Sequence, residues 1–257
     1  MTLTVAVVLG AIIGVLLGLL GGGGSILAVP ALVYGLGLDI EQAIPISLVV
    51  IGIASAVGAL PKLRAHHIEW RLAAVFAAAG IPATVAGGAV GRLLPQPVVL
   101  VGFAAVMILA GARMLADRDT TGTACKTGDS GINWRRCVSR SLPAGFAVGF
   151  LTGLFGVGGG FLIIPALVLM LGVPMPIAVG TSLVIIVANS AAGLLSHLSG
   201  ATIDWTLTVV FAGTAIAGSL LAAQAGTRVD SRRLQRWFAY LVFAVATYIL
   251  VDSAGLH

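Results

Sequence analysis

The sequence has few charged residues and very few acidic ones. Only 9% of its 257 residues are Asp, Glu, Lys or Arg, whereas 59% are hydrophobic. Soluble domains carry roughly 25% charged residues, so this composition excludes an ordinary soluble domain and indicates an integral membrane protein. The net charge of +5 does not indicate a nucleic-acid partner, because the basic residues lie in short loops between apolar segments.

Groups that support cation transport or catalysis are also scarce. No apolar segment contains a mid-span Asp, Glu, Lys or Arg, and cation pumps and proton relays usually need one. No GxSxG, HExxH or paired-carboxylate arrangement occurs, so we expect neither an enzyme nor a metal site or cofactor. The only two cysteines, Cys125 and Cys137, lie in one polar loop, where we expect free thiols.

Apolar segments predict an all-α integral membrane protein with about ten helical segments. They run at about 2–20, 25–38, 42–61, 71–92, 97–116, 142–156, 160–173, 176–198, 205–226 and 233–252.

The two halves of the chain are copies of one another. Residues 18–72 align with 153–207 at a constant offset, with about 25 identities in 55 positions and no gap. The duplication predicts a first transmembrane repeat over 1–116, a cytoplasmic linker over 117–141 and a second repeat over 142–257.

The basic residues of the loops predict the orientation of the repeats. Loops 62–71, 113–141 and 227–236 are rich in Lys and Arg, and cytoplasmic loops carry such an excess. Placing all three in the cytoplasm gives five segments per repeat, so the second repeat is inverted relative to the first. Both termini are then extracytoplasmic.

Each repeat has a glycine cluster followed by a proline inside an apolar run, over 18–32 and 153–167. Backbone freed from helical bonding at membrane depth persists only where protein or a wet cavity satisfies it. A helix that begins at Ser25 or Gly160 would expose unpaired N–H groups and the positive end of its dipole, which suits an anion. Alternatively, the glycines only permit tight helix crossing. The short segments after the clusters are either re-entrant half-helices or tilted full spans.

A stripe of polar residues follows each glycine cluster. In the second repeat, Ser182 and Asn189 recur at a seven-residue spacing and so share one helix face. Their hydroxyl and amide groups could bind oxyanion oxygens or form interhelical hydrogen bonds. Lys62 and His197 occupy equivalent helix ends, where they either gather anions at a gate or mouth, or extend to the membrane interface.

Both motifs resemble those of the TauE/SafE family of sulfite and organosulfonate exporters. The resemblance rests on the duplicated Gly-x-Gly-Gly-(Gly/Ser)-x-Leu-x-x-Pro-Ala-Leu element and on Gly180-Thr-Ser-Leu-Val with Asn189-Ser and Gly193. It implies a multi-pass inner-membrane permease for small sulfur-containing anions. In the first repeat Pro45-Ile46 replaces Gly180-Thr181 and Ala54 replaces Asn189, so the implied site is asymmetric.

From the residues and the resemblance together, we expect a transporter for sulfite, thiosulfate or sulfonates such as sulfoacetate that works by alternating access. The alternatives are an anion channel of the same architecture and a non-transporting membrane scaffold. Helix faces rich in small residues suggest a homodimer. The predicted substrate-binding residues are Gly23, Gly24, Ser25, Ser47, Gly158, Gly159, Gly160, Thr181, Ser182, Asn189 and Ser190.

Overall fold

The described part of the chain is all-helical. A computed structural model describes residues 2–20, 24–91, 93–116, 134–155, 160–197, 204–226 and 231–255, and these ranges contain no strand. The all-α prediction is therefore confirmed. The helices are α1 (Thr2–Leu20), α2 (Ser25–Pro30), α3 (Ile40–Arg64), α4 (Trp70–Gly91), α5 (Gln96–Ala116), α6 (Trp134–Phe155), α7 (Gly160–Pro165), α8 (Met175–His197), α9 (Trp205–Gly226) and α10 (Ser231–Gly255).

Six helices in these ranges, α1, α3, α4, α6, α8 and α9, are long and apolar enough to cross a membrane. α2 and α7 are much shorter, and each continues directly into a five-residue π-helical turn, Ala31–Gly35 and Ala166–Met170. At about 1.5 Å per residue, each continuous segment of helix and turn reaches about 16 Å, roughly half of a 30 Å hydrocarbon core. These lengths favour half-helices over full spans for the segments after the glycine clusters.

The duplication is visible in the local backbone of the two repeats. Two residues after each π-helical turn lies a glycine with the same left-handed φ of +69°, Gly37 and Gly172. The residue after each glycine donates a hydrogen bond back to the start of the turn, Leu38 to Leu32 and Val173 to Leu167. A left-handed residue costs little only when it is glycine, so both copies end this segment by the same physical device.

Two predictions at the start of the second repeat differ from the structure. α6 begins at Trp134, well before the apolar segment predicted at 142. Its first turns carry arginines, which lower the hydropathy of the segment but are compatible with a helix. Cys137 is disulfide-bonded and only 2% exposed, so the prediction of a free thiol is wrong for Cys137. That prediction came from the expected compartment alone, which does not decide whether a cysteine is paired; the other cysteine, Cys125, lies outside the described residues.

The helices pair across the two repeats. α1 packs against α9 and α4 against α6, so the first helix of each repeat contacts the fourth helix of the other. α3 packs against α8 and α5 against α10, which are equivalent positions of the two repeats. These four pairings are thus matched when the repeats are exchanged. The opposite membrane orientation of the two repeats stays a prediction.

Glycines allow these pairs to approach with backbone against backbone. A Cβ on Gly14 of α1 would overlap the Ala215 backbone of α9, and a Cβ on Gly149 of α6 would overlap the Gly80 backbone of α4. The two contacts are again equivalent in the repeats. Small residues at such crossings maximise van der Waals packing where no hydrophobic effect drives helices together.

Replacing a contact glycine should therefore destabilise the fold. We expect Gly14→Leu to lower the free energy of unfolding by about 1–3 kcal/mol, the usual cost of overpacking, and to lower the melting temperature in detergent. Gly213→Leu on α9 is the matched control, because a Cβ there meets nothing within 4 Å. Equal melting temperatures for the two variants would contradict the packing account.

Candidate functional site

The two short helices that follow the glycine clusters contact each other. Gly24, Ser25 and Gly160 are all buried at their starts. The short helices that follow the two glycine clusters therefore meet in the fold. Of the other predicted glycines, Gly23, Gly158 and Gly159 lie outside the described residues.

Gly24 has a packing role that needs no ligand. A Cβ at Gly24 would lie 2.5 Å from the Ile13 carbonyl oxygen and 2.7 Å from Leu17 Cγ, both on α1. The chain thus folds back directly onto α1 after the break, and only glycine fits. For Gly24 the alternative of tight helix crossing applies, and substrate contact stays a prediction.

Ser47 and Ser182 occupy equivalent positions on α3 and α8, and both hydroxyl groups bond within their own helix. Ser47 Oγ donates to the Ile44 carbonyl at 2.7 Å, and Ser182 Oγ donates to the Val179 carbonyl at 2.9 Å. Both side chains are almost completely buried. Each hydroxyl proton is therefore committed to the helix, as is common for Ser in apolar surroundings.

Thr181 fixes a loop to α8. Its side-chain oxygen accepts a hydrogen bond of 3.1 Å from the Glu69 backbone N–H, in the loop that joins α3 to α4. The Thr181 side chain is fully buried. Its observed contact is thus structural, and it ties the first repeat to the second.

The contact between α3 and α8 is antiparallel and close. A Cβ on Gly52 would lie 3.3 Å from Ser190 Cβ, and a Cβ on Gly193 would lie 3.3 Å from Leu48 Cδ1. As residue numbers rise along α3 they fall along α8. Ser190, a predicted site residue, thus faces the other repeat across a glycine.

Two polar atoms beside this contact have no hydrogen-bond partner. Ser55 Oγ and Asn189 Oδ1 are both buried and unbonded among the described residues. Ser55 follows Gly52 by about one turn and Asn189 adjoins Ser190, so both lie along one stretch of α3 and α8, away from the helix ends. A buried polar group without a partner costs about 1–3 kcal/mol, and such groups call for an explanation.

Asn189 was predicted as a site residue, whereas Ser55 was not among the predicted set. The signal for Ser55 was its equivalence to Ser190 at the repeat offset. Sequence alone could not separate Ser55 from Ser47, because only the backbone geometry shows which hydroxyl bonds to its own helix.

One equivalent pair of hydroxyl groups makes different contacts in the two repeats. Thr84 Oγ1 on α4 donates to the carbonyls of Gly80 at 2.8 Å and Gly149 at 3.1 Å. Ser219, its counterpart on α9, instead donates across to the Ala54 carbonyl of α3 at 3.4 Å. The contacts of α9 with α3 therefore differ from those of α4 with α8.

The predicted mouth residues lie at the ends of α3 and α8. Lys62, in the last turn of α3, is only 4% exposed and packs beside Gly180 of α8. The helix ends just beyond it: the His67 N–H bonds to the Lys62 carbonyl, and His66 adopts a left-handed φ of 54°, which is a Schellman-type cap. The side chain of His197 lies outside the described residues.

Among the described residues no cluster of His, Cys, Asp or Glu could hold a metal ion. In the middle of the α3–α8 contact, away from Lys62, the described polar side chains carry neutral hydroxyl and amide groups, which bind by hydrogen bonds.

Comparisons with known proteins concern nearly the whole chain. The family described as "Sulfite exporter TauE/SafE" matches residues 6–249. A "Probable membrane transporter protein" of Xylella fastidiosa (strain Temecula1) is 33% identical over 98% of this chain and 96% of its own length. "Probable membrane transporter protein YunE" of Bacillus subtilis is 28% identical over 98% and 99%, and MJ0441 of Methanocaldococcus jannaschii is 26% identical over 84% and 79%. No solved structure gave a significant match.

The Thr181 contact can be tested by stability. Thr181→Val keeps the shape of the side chain but leaves the Glu69 N–H without its acceptor, so we expect a loss of about 1–3 kcal/mol. Thr181→Ser keeps the acceptor oxygen and should retain most of the stability. Thermal unfolding in detergent measures both variants, and a Val variant as stable as the Ser variant would show that the bond does not hold the loop.

Proposed function

Because the chain belongs to the sulfite exporter TauE/SafE family and is a multi-pass membrane protein, we propose that it carries small sulfur-containing or organic anions across the membrane. Sulfite, thiosulfate and sulfonates such as sulfoacetate are the candidate substrates, and alternating access is the proposed mechanism. The family is described as one of sulfite exporters, and the relatives above are named as probable membrane transporter proteins, which supports the class of activity. The substrates and the mechanism are our proposal.

The pair of unpartnered atoms on α3 and α8 carries the proposal. Ser55 can donate its hydroxyl proton to an oxyanion oxygen, and the Asn189 amide offers both N–H donors and an acceptor. An oxyanion that retains one proton, such as hydrogensulfite, supplies the matching donor and acceptors. Bound substrate would then satisfy Ser55 Oγ and Asn189 Oδ1, which are otherwise buried without partners.

Neutral donors suit a carrier, because a carrier must release what it binds. A fixed charge in an apolar medium holds a counter-ion strongly, whereas hydrogen bonds exchange more readily with those of water. The apolar helix segments contain no mid-span carboxylate or basic residue, so a substrate in the middle of the span would be bound by neutral groups. Ser47 and Ser182 are less suitable as donors, because their hydroxyl groups already donate to carbonyls of their own helices.

The unequal contacts of Ser219 and Thr84 support alternating access. Ser219 lies against Gly58 and Ala54 of α3, whereas Thr84 bonds within its own pair with α6. If the two repeats exchange conformations, Thr84 moves against Gly193 and Asn189 of α8 while Ser219 leaves α3. Exchange of repeat conformations opens a central site first to one side of the membrane and then to the other.

The site can be tested with variants that separate function from folding. We expect Ser55→Ala and Asn189→Leu each to lower sulfite uptake into proteoliposomes about tenfold or more, the effect of losing a hydrogen bond of about 1.5 kcal/mol or more. Neither variant should lower the melting temperature, because each removes a buried polar group that has no partner. Thr247→Val is the matched control, because this exposed hydroxyl on α10 donates within its own helix. Undiminished uptake in both site variants would contradict the site, and large single-channel currents would indicate a channel instead.

Alternating access can be tested with two disulfide pairs. A Cβ on Gly58 lies 3.9 Å from Ser219 Cβ, within the 3.5–4.5 Å of disulfides, so the pair Gly58→Cys with Ser219→Cys should cross-link in this conformation. The equivalent pair, Gly193→Cys with Thr84→Cys, should cross-link only in the exchanged conformation. We expect each pair, in a background without the native cysteines, to block uptake until a reductant is added. Failure of the second pair to cross-link, with and without sulfite, would contradict the exchange.

A further inference from the structure

Lys62 is buried at the end of α3 without a counter-ion. Only 4% of its surface is exposed, and it makes no ion pair or hydrogen bond through its side chain with any described residue. Its neighbour Arg64, in the same helical turn, is exposed. Long basic side chains normally extend to water at a helix end, so the burial of Lys62 needs a reason that Arg64 does not.

The negative end of the α3 dipole is one such reason, since cations stabilise a helix C-terminus. An exposed lysine would have the same gain, because the dipole acts on a cation in the last turn whether or not the ammonium group is solvated. Removing the side chain from water without a partner adds a desolvation penalty. The dipole therefore explains a lysine at this position and does not explain its burial.

A second unpartnered group lies beside Lys62. His67 Nδ1 is buried and has no hydrogen-bond partner among the described residues. The helix cap holds the two residues together, because the His67 N–H bonds to the Lys62 carbonyl at 3.0 Å. Both residues also pack on Gly180 of α8: a Cβ there would overlap the His67 carbonyl oxygen and lie 3.3 Å from Lys62 Cβ.

We propose that Lys62 and His67 form a second anion site at this end of α3 and α8, separate from Ser55 and Asn189. Its ligand is a small oxyanion of the transported class, so the assignment rests on the proposed function. The ammonium supplies the charge, an Nδ1–H of the imidazole donates a hydrogen bond, and Gly180 keeps α8 close enough to bury both. The site concentrates anions at one mouth before they reach the neutral groups farther along the helices.

The position of the site explains why a charge is used here and not in the middle of the span. Entry benefits from long-range attraction, which a charge provides and a hydroxyl group does not. At the helix end, a hydrated anion can also exchange with water. The equivalent position in the second repeat is His197, so the two mouths differ in charge.

Melting temperatures of the purified full chain, with sulfite replacing chloride at constant ionic strength, test the site. Without sulfite we expect Lys62→Met to melt above the wild type, because an unpaired buried charge is removed; the dipole explanation predicts the opposite. We expect the apparent dissociation constant for sulfite, taken from the shift at low concentrations, to rise about tenfold or more in Lys62→Met, the loss of one charge-assisted hydrogen bond. Lys62→Arg should restore binding, and Arg64→Gln is the matched control for the charge of this helix end.

Asn189→Leu separates this inference from the proposed function. A sulfite-induced shift that persists in Asn189→Leu and is lost in Lys62→Met supports a second site. A shift that is unchanged in Lys62→Met but lost in Asn189→Leu overturns the second site and leaves the proposed function standing. A shift produced by phosphatidylglycerol micelles, and by no concentration of sulfite, overturns the small-anion assignment and identifies a lipid headgroup.

Discussion

Hydrogen bonding in an apolar medium is the constraint on which this structure depends. Water is absent from the hydrocarbon core, so each buried polar atom must find a partner in the protein or in a ligand. Most polar side chains between the helices meet this requirement locally: the hydroxyl groups of Ser47 and Ser182 bond within their own helices, and Thr181 bonds to the Glu69 N–H. Ser55 Oγ and Asn189 Oδ1 have no such partner among the described residues, and we propose that a bound oxyanion supplies it.

Close backbone packing determines which helix contacts leave room for a ligand. Glycines at the crossings of α1 with α9 and of α4 with α6 leave no room for a Cβ, so those pairs approach too closely to hold a ligand. At the contact between α3 and α8, Gly52 and Gly193 face the side chains of Ser190 and Leu48, and a Cβ on either glycine would lie 3.3 Å from them, which is a tight contact. Glycine thus allows backbone to pack on backbone at the first two crossings and on side chains at Gly52 and Gly193.

Sequence reasoning predicted the all-α fold, the duplication and the family, because each depends on patterns that extend over many residues. These patterns are apolar runs of membrane length and motifs repeated at one offset. It also singled out Asn189, where the repeats differ and where the structure leaves the side-chain oxygen without a partner among the described residues. It could not distinguish Ser55 from Ser47 and Ser182. The sequence shows a serine at each position but does not show whether its hydroxyl group bonds to its own helix. It placed the start of α6 too late, since the arginines of its first turns lower hydropathy without opposing a helix.

The inverted arrangement of the repeats is a prediction from the charge of the loops. The pairing of equivalent helices shows that the two repeats make matching contacts, but it does not give their orientation in the membrane. The central claim of the account is narrower: an oxyanion binds between α3 and α8. Anomalous diffraction from crystals grown with selenite, a heavier analogue of sulfite, tests it most directly. The account predicts a selenium peak within hydrogen-bonding reach of Ser55 Oγ and the Asn189 amide. Selenium peaks only at other positions, with these two groups still unpartnered, would contradict it.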